Sequence, residues 1–285
     1  MPDKVDRTGE VIAERYELIK LIGDGGQAQV YEGVDLRDGD PIAIKILAKE
    51  VADSPEWRER MFREAQAMAT LAGTAAVRIY HQGYTNDGAL CLIMELLKGD
   101  TFDDYLSKRE DQGERLPVPE LIRLMDPVVD TLEKAHAIGI LHRDVKPGNI
   151  FVQEDGSVRL LDFGLAKFMR MRGITQLGFI AGSPSYIAPE GWRGTPEALD
   201  QRIDVYSLGA VIYRALAGEP PFSAKDMRQL IRLVTTAERP SLHKVRYELD
   251  PIIDDWVKES LAIDPANRFF KVSAMWNAFK SIVGS

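Results

Sequence analysis

The chain has 285 residues, of which 45% are hydrophobic, so it can bury the core of one large domain or two small ones. Its formal net charge of −8 argues against a nucleic-acid or polybasic membrane surface. A single cysteine, Cys91, excludes an internal disulfide, and four scattered histidines give no metal-ligand spacing. Without a signal peptide or an apolar run near the roughly 20 residues that span a bilayer, we expect a cytoplasmic location, although a longer parent protein could be membrane-anchored.

The amino-terminal part of the chain predicts strands around a glycine-rich turn. Residues 1–12 are polar and predict a flexible arm. Strand-like residues from Arg15 onward lead into Gly23, Gly25 and Gly26, and the residues that follow have no helical period. Dinucleotide fingerprints and Walker loops open a helix, so a loop between two strands argues against both. Taken alone, this loop is an ordinary glycine-rich hairpin.

A lysine and a glutamate stand out in the next two predicted elements. The strand 42–47 alternates so that Lys45 lies on an apolar face, where a charge is costly unless paired. Residues 55–71 have helical periodicity, and Glu64 borders the apolar stripe. A snorkelling lysine and a solvated glutamate are the plain alternatives. A further hairpin, 77–96, completes a predicted five-stranded sheet.

From residue 100 the composition predicts helices. Residues 119–138 carry an apolar stripe that ends at Gly139, and His136 within it is interpreted as a structural core histidine. Asp204 opens a second apolar helix, which continues to about Ala217. The carboxyl-terminal part predicts three further helices.

The most informative stretch is a predicted hairpin between residues 139 and 167. Two short apolar runs, 150–152 and 158–161, flank a turn at Asp155 and Gly156. The polar residues at its ends are His142, Arg143, Asp144, Lys146 and Asn149 before the first run and Asp162 after the second. Asn149 and Asp162 supply hard oxygen ligands of the kind that Mg²⁺ takes, and Asp144 remains as a carboxylate that can receive a proton.

This stretch resembles the catalytic loop and DFG motif of eukaryotic-type protein kinases, and the chain is most similar to their bacterial serine/threonine branch. The motifs are His142-Arg143-Asp144, Asn149 five residues later, and 162–164, and the resemblance covers roughly residues 13–283. It implies an α+β, bilobal protein-kinase fold. The small lobe, 13–97, would hold a five-stranded antiparallel sheet and one main helix, and the larger, mainly helical lobe would span 98–285. Together they would form one catalytic domain after the arm of residues 1–12.

The resemblance implies transfer of the γ-phosphoryl group of ATP to serine or threonine, with ATP and Mg²⁺, or alternatively Mn²⁺, as cofactors. The implied catalytic residues are Asp144 as base, Lys146 at the transferred phosphoryl group, Asn149 and Asp162 as metal ligands, and Lys45 paired with Glu64. The implied nucleotide contacts are Ile22, Gly23, Gly25, Val30, Ala43, Lys45, Met94, Glu95, Leu97, Asp104, Phe151 and Leu161. Plain core packing is the alternative for the apolar members of that set.

The connection 162–190 is longer than an ordinary loop and has no acidic residue between its ends. We expect a phosphate on Thr175 to pair with Arg143 and Lys167 and to order this connection. A mobile loop without a switch is the alternative. Ser183 stands where kinases place a threonine that bonds the catalytic aspartate.

The resemblance also assigns roles to three charges that would otherwise be read as surface residues. Glu190 is expected to pair with Arg268, and Asp204 is expected to bond the backbone of the catalytic loop. Their joint order and spacing are typical of protein kinases.

As partners we expect protein substrates and a transient homodimer for trans-autophosphorylation, with no nucleic-acid or membrane contact from this segment. One alternative is a pseudokinase that binds nucleotide as a scaffold, which the intact Lys45, Asp144, Asn149 and Asp162 disfavour. The other is a small-molecule kinase of the aminoglycoside type, which the segment 188–190 disfavours.

Overall fold

The computed structural model describes residues 6–25, 28–47, 69–163, 184–192 and 199–284. The chain divides into two compact units. The first comprises residues 1–72 and 77–98, and the second comprises residues 73–76 and 99–285. The finer bounds of an arm and two lobes remain predictions.

The first unit contains an antiparallel sheet of six strands. These are β1 (Val11–Ile12), β2 (Tyr16–Asp24), β3 (Ala28–Asp35), β4 (Pro41–Leu47), β5 (Ile79–Tyr84) and β6 (Leu90–Glu95), in the spatial order β1-β2-β3-β4-β6-β5. The predicted count of five was wrong because β1, which the sequence assigns to the arm, pairs with the start of β2, Ile12 opposite Tyr16. The turn between them places Ala13 and Glu14 at φ +51° and +53°, and a tight turn without glycine or proline leaves no signal in the sequence.

The two faces of this sheet differ in composition. Ile42, Ile44 and Ile46 of β4 point to one face and join a buried cluster with Tyr31 and Ile93. Burying an isoleucine of this kind stabilises the fold by roughly 1.5–3 kcal/mol. The alternate residues of β4 point to the opposite face, which therefore carries the lysine of this strand. The predicted main helix of this lobe lies almost entirely outside the described residues.

The second unit is mainly helical. Its helices are α1 (Phe102–Glu110), α2 (Val118–Ala137), α3 (Arg202–Ala217), α4 (Met227–Thr236), α5 (Ile253–Ser260) and α6 (Val272–Val283), and its small sheet has the order β7 (Gly99–Thr101), β8 (Ile150–Gln153), β9 (Val158–Leu160). Helix α3 is buried from Ile203 to Ala217 and ends at Gly218, whose φ of +86° is typical of a helix C-terminus. None of the helices in the described part of the chain has both the length and the apolarity needed to cross a membrane.

Candidate active site

The predicted hairpin is present as β8 and β9, and it brings its two polar ends together. At its turn, Gly156 has φ +78°, and the Asp155 carboxylate accepts a hydrogen bond from the Ser157 N–H at 2.8 Å. At the other end, the Leu161 N–H donates to the Asn149 carbonyl at 2.8 Å. Asn149 therefore lies beside the residue that precedes Asp162, and the role of these two residues as metal ligands remains a prediction.

The Asp144 carboxylate is held by two neighbours from the same loop. Its Oδ2 accepts hydrogen bonds from Lys146 Nζ at 2.8 Å and from Asn149 Nδ2 at 2.9 Å. Asn149 Nδ2 also donates to the Asp144 carbonyl at 2.8 Å, and a 3-10 turn, Pro147–Asn149, sets this spacing. The Asp144 side chain is 20% exposed, so the oriented carboxylate remains accessible to a proton donor from outside.

Asp204, at the start of α3, anchors the backbone of this loop. It is fully buried and accepts hydrogen bonds from the N–H groups of His142 and Arg143, at 2.8 and 2.7 Å, and from His136 Nε2 at 2.8 Å. Burial alone would raise the pKa of the Asp204 carboxyl, but its hydrogen bond to His136 and its other bonds outweigh burial and hold that pKa below its usual range. The predicted contact of Asp204 with the loop backbone is confirmed, and His136 has the structural role that the sequence favours.

His142 joins the loop to the strand end that carries Asp162. Its Nδ1 accepts from the Asp144 N–H at 3.2 Å, so Nε2 carries the proton and donates to the Leu161 carbonyl at 2.8 Å. Burial lowers the pKa of His142, which fits a neutral ring. The ring also packs against Phe163, with 4.6 Å between centroids. Both rings are packing residues, as predicted.

Two non-glycine residues of the site have left-handed backbone conformations. Arg143 has φ +62° and Asp162 has φ +55°. Conformations of this kind cost roughly 1–3 kcal/mol each and persist where the surrounding structure enforces them. At Arg143 the hydrogen bond from its N–H to Asp204 is one of the contacts that hold the backbone.

Glu190 and Arg268 form the predicted ion pair, with two hydrogen bonds of 2.6 and 2.7 Å. The Arg268 side chain is completely buried and also donates to the carbonyls of Ala262, Arg202 and Ile263. Its guanidinium lies 5.0 Å from the centre of the Tyr206 ring. The pair therefore fixes the segment 184–192 to the carboxyl-terminal helices.

In the first unit, four predicted nucleotide contacts share one face of the sheet. Val30 lies opposite Lys45, and Ala43 lies opposite Met94. Because register partners share a face and residues two apart in β4 also share it, all four side chains point to the same side. That side is opposite to the buried isoleucine cluster.

The other predicted nucleotide contacts lie at the strand ends and in the second unit. Gly23 lies opposite Val30, and the Gly25 N–H donates to the Ala28 carbonyl at 3.0 Å. The remaining residues are placed as follows: Ile22 is exposed on β2, Glu95 ends β6, Leu97 follows it, and Phe151 and Leu161 are half-buried around the hairpin. Asp104 is exposed in the first turn of α1, where its carboxylate accepts from Thr101 Oγ1 at 2.6 Å.

Four predicted site residues lie outside the described residues: Glu64, Lys167, Thr175 and Ser183. The Lys45–Glu64 ion pair and the phosphorylated threonine with its two cations therefore remain predictions.

The donor set at the hairpin fits a magnesium ion. Asn149 uses Nδ2 to contact Asp144, so its carbonyl oxygen Oδ1 is the atom that would bind a cation, together with the Asp162 carboxylate. Among the described residues no group of three or more histidine, cysteine, aspartate and glutamate side chains could hold a metal ion. A site with few protein ligands is typical of Mg²⁺, which keeps water and substrate phosphates in its coordination shell.

The sequence profile of the protein kinase domain matches residues 16–279. The serine/threonine-protein kinases PknL and PknA of Mycobacterium tuberculosis are 34% and 36% identical to the chain, over 93% and 92% of its length. The chain spans 65% and 60% of the length of these two curated relatives. The crystal structure of the Mycobacterium tuberculosis PknI kinase domain, at 26% identity, superimposes with a TM-score of 0.78 over 99% of this chain and 100% of that one. These similarities confirm the predicted fold, and the chain belongs to the protein kinase family.

Proposed function

We propose that this domain is a serine/threonine protein kinase that transfers the γ-phosphoryl group of ATP to protein hydroxyls. The observation that carries the proposal is the Asp144 carboxylate, oriented by Lys146 and Asn149 in a loop whose backbone is held by a buried aspartate. The curated relatives named above are serine/threonine-protein kinases, which supports the assignment and leaves the pseudokinase alternative without support.

Each residue of the loop has a distinct task in this proposal. Asp144 orients the substrate hydroxyl and accepts its proton, and Lys146, 2.8 Å from that carboxylate, is placed to balance negative charge at the same point. Phosphoryl transfer depends mainly on positioning and electrostatics, so an anchored loop is the main contribution of the protein. Asn149 and Asp162 would hold Mg²⁺, or Mn²⁺, which when bound neutralises charge on the phosphates of the nucleotide.

Nucleotide binding is assigned to the sheet face that carries Val30, Ala43, Lys45 and Met94. Lys45 would contact the α- and β-phosphates beneath the glycine-rich turn, and the apolar members would contact the adenine. Glu64 would pair with Lys45 in the active form. A cytoplasmic location, where thiols stay reduced, suits a domain whose lone cysteine, Cys91, forms no disulfide and is buried.

Regulation is assigned to the segment that precedes residue 184. A phosphate on Thr175 would pair with Arg143 and Lys167, and Ser183 would contact Asp144. Phosphorylation would be carried out by a second copy of the domain in a transient homodimer. A Thr175→Ala variant that is as active as the wild type after preincubation with Mg·ATP would contradict this assignment.

Intact-mass spectrometry before and after incubation with Mg·ATP, beside transfer of radiolabelled phosphate to a generic protein substrate, tests the proposed activity. We expect the wild type to gain phosphoryl groups on serine or threonine. The rate of phosphoryl transfer by Asp144→Asn should be about 10²–10⁴-fold lower than that of the wild type, because its proton acceptor is removed. Asp130→Asn, a matched change of an exposed aspartate on α2, should leave the rate unchanged. An Asp144→Asn variant as active as that control would overturn the proposal.

A further inference from the structure

The arm segment, which we define as residues 6–12, continues the pairing of β1 along β2. The Gly9 N–H donates to the Leu18 carbonyl at 2.7 Å, and the Leu18 N–H donates to the Glu10 carbonyl at 2.9 Å. Ile12, at the end of the segment, is 1% exposed and belongs to the buried cluster of the sheet. Backbone hydrogen bonds and one apolar side chain therefore join the arm segment to the sheet.

An ion pair fixes the other end of the arm segment. The Arg7 guanidinium donates two hydrogen bonds to the Asp87 carboxylate, at 3.0 and 2.7 Å, and one to Glu10 at 3.1 Å. Thr85 Oγ1 also donates to Asp87, at 2.6 Å, which orients this carboxylate. Asp87 lies in the turn between β5 and β6, whereas β1 is at the opposite end of the strand order. The pair of Arg7 and Asp87, which we call the latch, therefore joins the two ends of the six-stranded sheet.

The arm segment can undock without unfolding of the sheet. Of residues 6–12, Ile12 alone is buried, so undocking exposes little apolar surface. The side chains of the latch are 16% exposed at Arg7 and 43% exposed at Asp87. Ion pairs in contact with water are weak and are weakened further by salt. The latch is therefore the contact whose strength decides how often the arm segment opens.

The arm segment contacts both strands that flank the glycine-rich turn. On β3, the Arg7 N–H donates to the hydroxyl of the buried Tyr31 at 3.2 Å. Tyr31 directly follows Val30, and neighbouring residues of a strand point to opposite faces, so a shift of one moves the other. On β2, the arm segment bonds Leu18, and an irregularity in the pairing with β3 follows between Leu18 and Lys20. The position of the arm segment therefore acts on the strand that carries Val30 and on the approach to the glycine-rich turn.

We propose that the arm segment is a strap, closed by the latch, and that its docking is coupled to nucleotide binding on the opposite face of the sheet. The docked strap holds β2 and β3 in the arrangement that binds nucleotide, so nucleotide binds the docked form more tightly. Such coupling is reciprocal, and bound nucleotide therefore holds the strap closed by the same factor. The inference rests on the proposed kinase function, which assigns the nucleotide to that face.

Amide hydrogen exchange, read by mass spectrometry of fragments, tests the latch. The amides of Gly9 and Leu18 are bonded only while the arm segment is docked, so their exchange measures undocking. In Arg7→Gln we expect them to exchange about tenfold faster than in the wild type, because the charged bonds to Asp87 are lost. Adding Asp87→Asn to that variant should change the rate by less than about twofold, since the two side chains act through each other. Raising the ionic strength should speed this exchange in the wild type and not in Arg7→Gln.

Arg37→Gln is the matched control, because it removes an exposed arginine from the turn between β3 and β4 of the same unit. Its Gly9 and Leu18 amides should exchange at the wild-type rate. Equal rates in Arg7→Gln and Arg37→Gln would overturn the inference. If Arg7→Gln does not fold, Asp87→Asn takes its place, and an unchanged rate in that variant has the same meaning.

Exchange in the wild type with and without nucleotide tests the coupling. A saturating non-hydrolysable ATP analogue with Mg²⁺ should slow exchange of the same two amides about fivefold, and Mg²⁺ alone should leave it unchanged. Calorimetry shows whether the analogue is bound. If it binds and the two amides exchange as before, the inference is overturned and the kinase function stands. A folded wild type that binds no analogue overturns both proposals.

Discussion

Replacing Asp204 by asparagine tests the anchor of the catalytic loop. The buried carboxylate accepts three hydrogen bonds of 2.7–2.8 Å, from the N–H groups of His142 and Arg143 and from His136. Asparagine has only one acceptor oxygen. Its NH₂ group is itself a donor and cannot accept the hydrogen bonds that the second carboxylate oxygen accepts. Losing a hydrogen bond to a charged group costs about 1.5–3 kcal/mol, and leaving a buried donor without a partner costs about 1–3 kcal/mol. We therefore expect the free energy of unfolding to fall by about 2.5–6 kcal/mol, the sum of the two terms.

Urea unfolding followed by tryptophan fluorescence measures this loss. Asp130→Asn is the control, because Asp130 and its partner Lys134 are each 56% exposed, and we expect a change of about 0.5 kcal/mol or less. The rate of phosphoryl transfer should also fall for Asp204→Asn, since the anchored N–H groups directly precede Asp144. An Asp204→Asn variant within about 1 kcal/mol of the wild type would refute the reasoning.

Three further predictions follow from buried groups. Arg268→Gln leaves the Glu190 carboxylate without its cation and should reduce the free energy of unfolding by about 3 kcal/mol in thermal unfolding, whereas a loss below 1 kcal/mol would contradict the buried pair. Because burial lowers the pKa of His142 below the unfolded value of 6.5, the unfolded state binds more protons on acidification. Stability should therefore fall as the pH drops below about 6.5, and a His142→Gln variant with the same slope would contradict this assignment. Burial raises the pKa of the Cys91 thiol to about 11, so iodoacetamide near neutral pH should modify the urea-unfolded chain and not the native one, as mass spectrometry would show.

The catalytic hairpin was predictable because its signals are local. The turn at Asp155 and Gly156 and the two apolar runs fix the strands, and the strands carry Asn149 and Asp162 to one end. The face of β4 that carries Lys45 follows from alternation alone. The contacts of Asp204 and Arg268 could be predicted only from the resemblance to protein kinases, since without it either residue would be interpreted as an ordinary surface charge.

Contacts between distant charges could not be predicted from one sequence. Arg214 and Glu110 are 104 residues apart, and His136 and Asp204 are 68 apart. With 36 lysines and arginines and 44 carboxylates in the chain, spacing does not say which side chains meet, because tertiary packing selects the pairs. Strand β1 was missed for a different reason, since its turn uses Ala13 and Glu14 in a conformation that usually requires glycine or asparagine.

The complete burial of α3 has a consequence for how this domain tolerates insertions. Adding one residue between Ser207 and Arg214 would turn the remainder of the helix by about 100° and move it by about 1.5 Å. Since neighbours surround the helix from Ile203 to Ala217, no solvent-facing side could absorb that rotation. Length changes that leave the protein folded are therefore expected only outside this helix, and Asp204 stays at a fixed distance from the rest of α3.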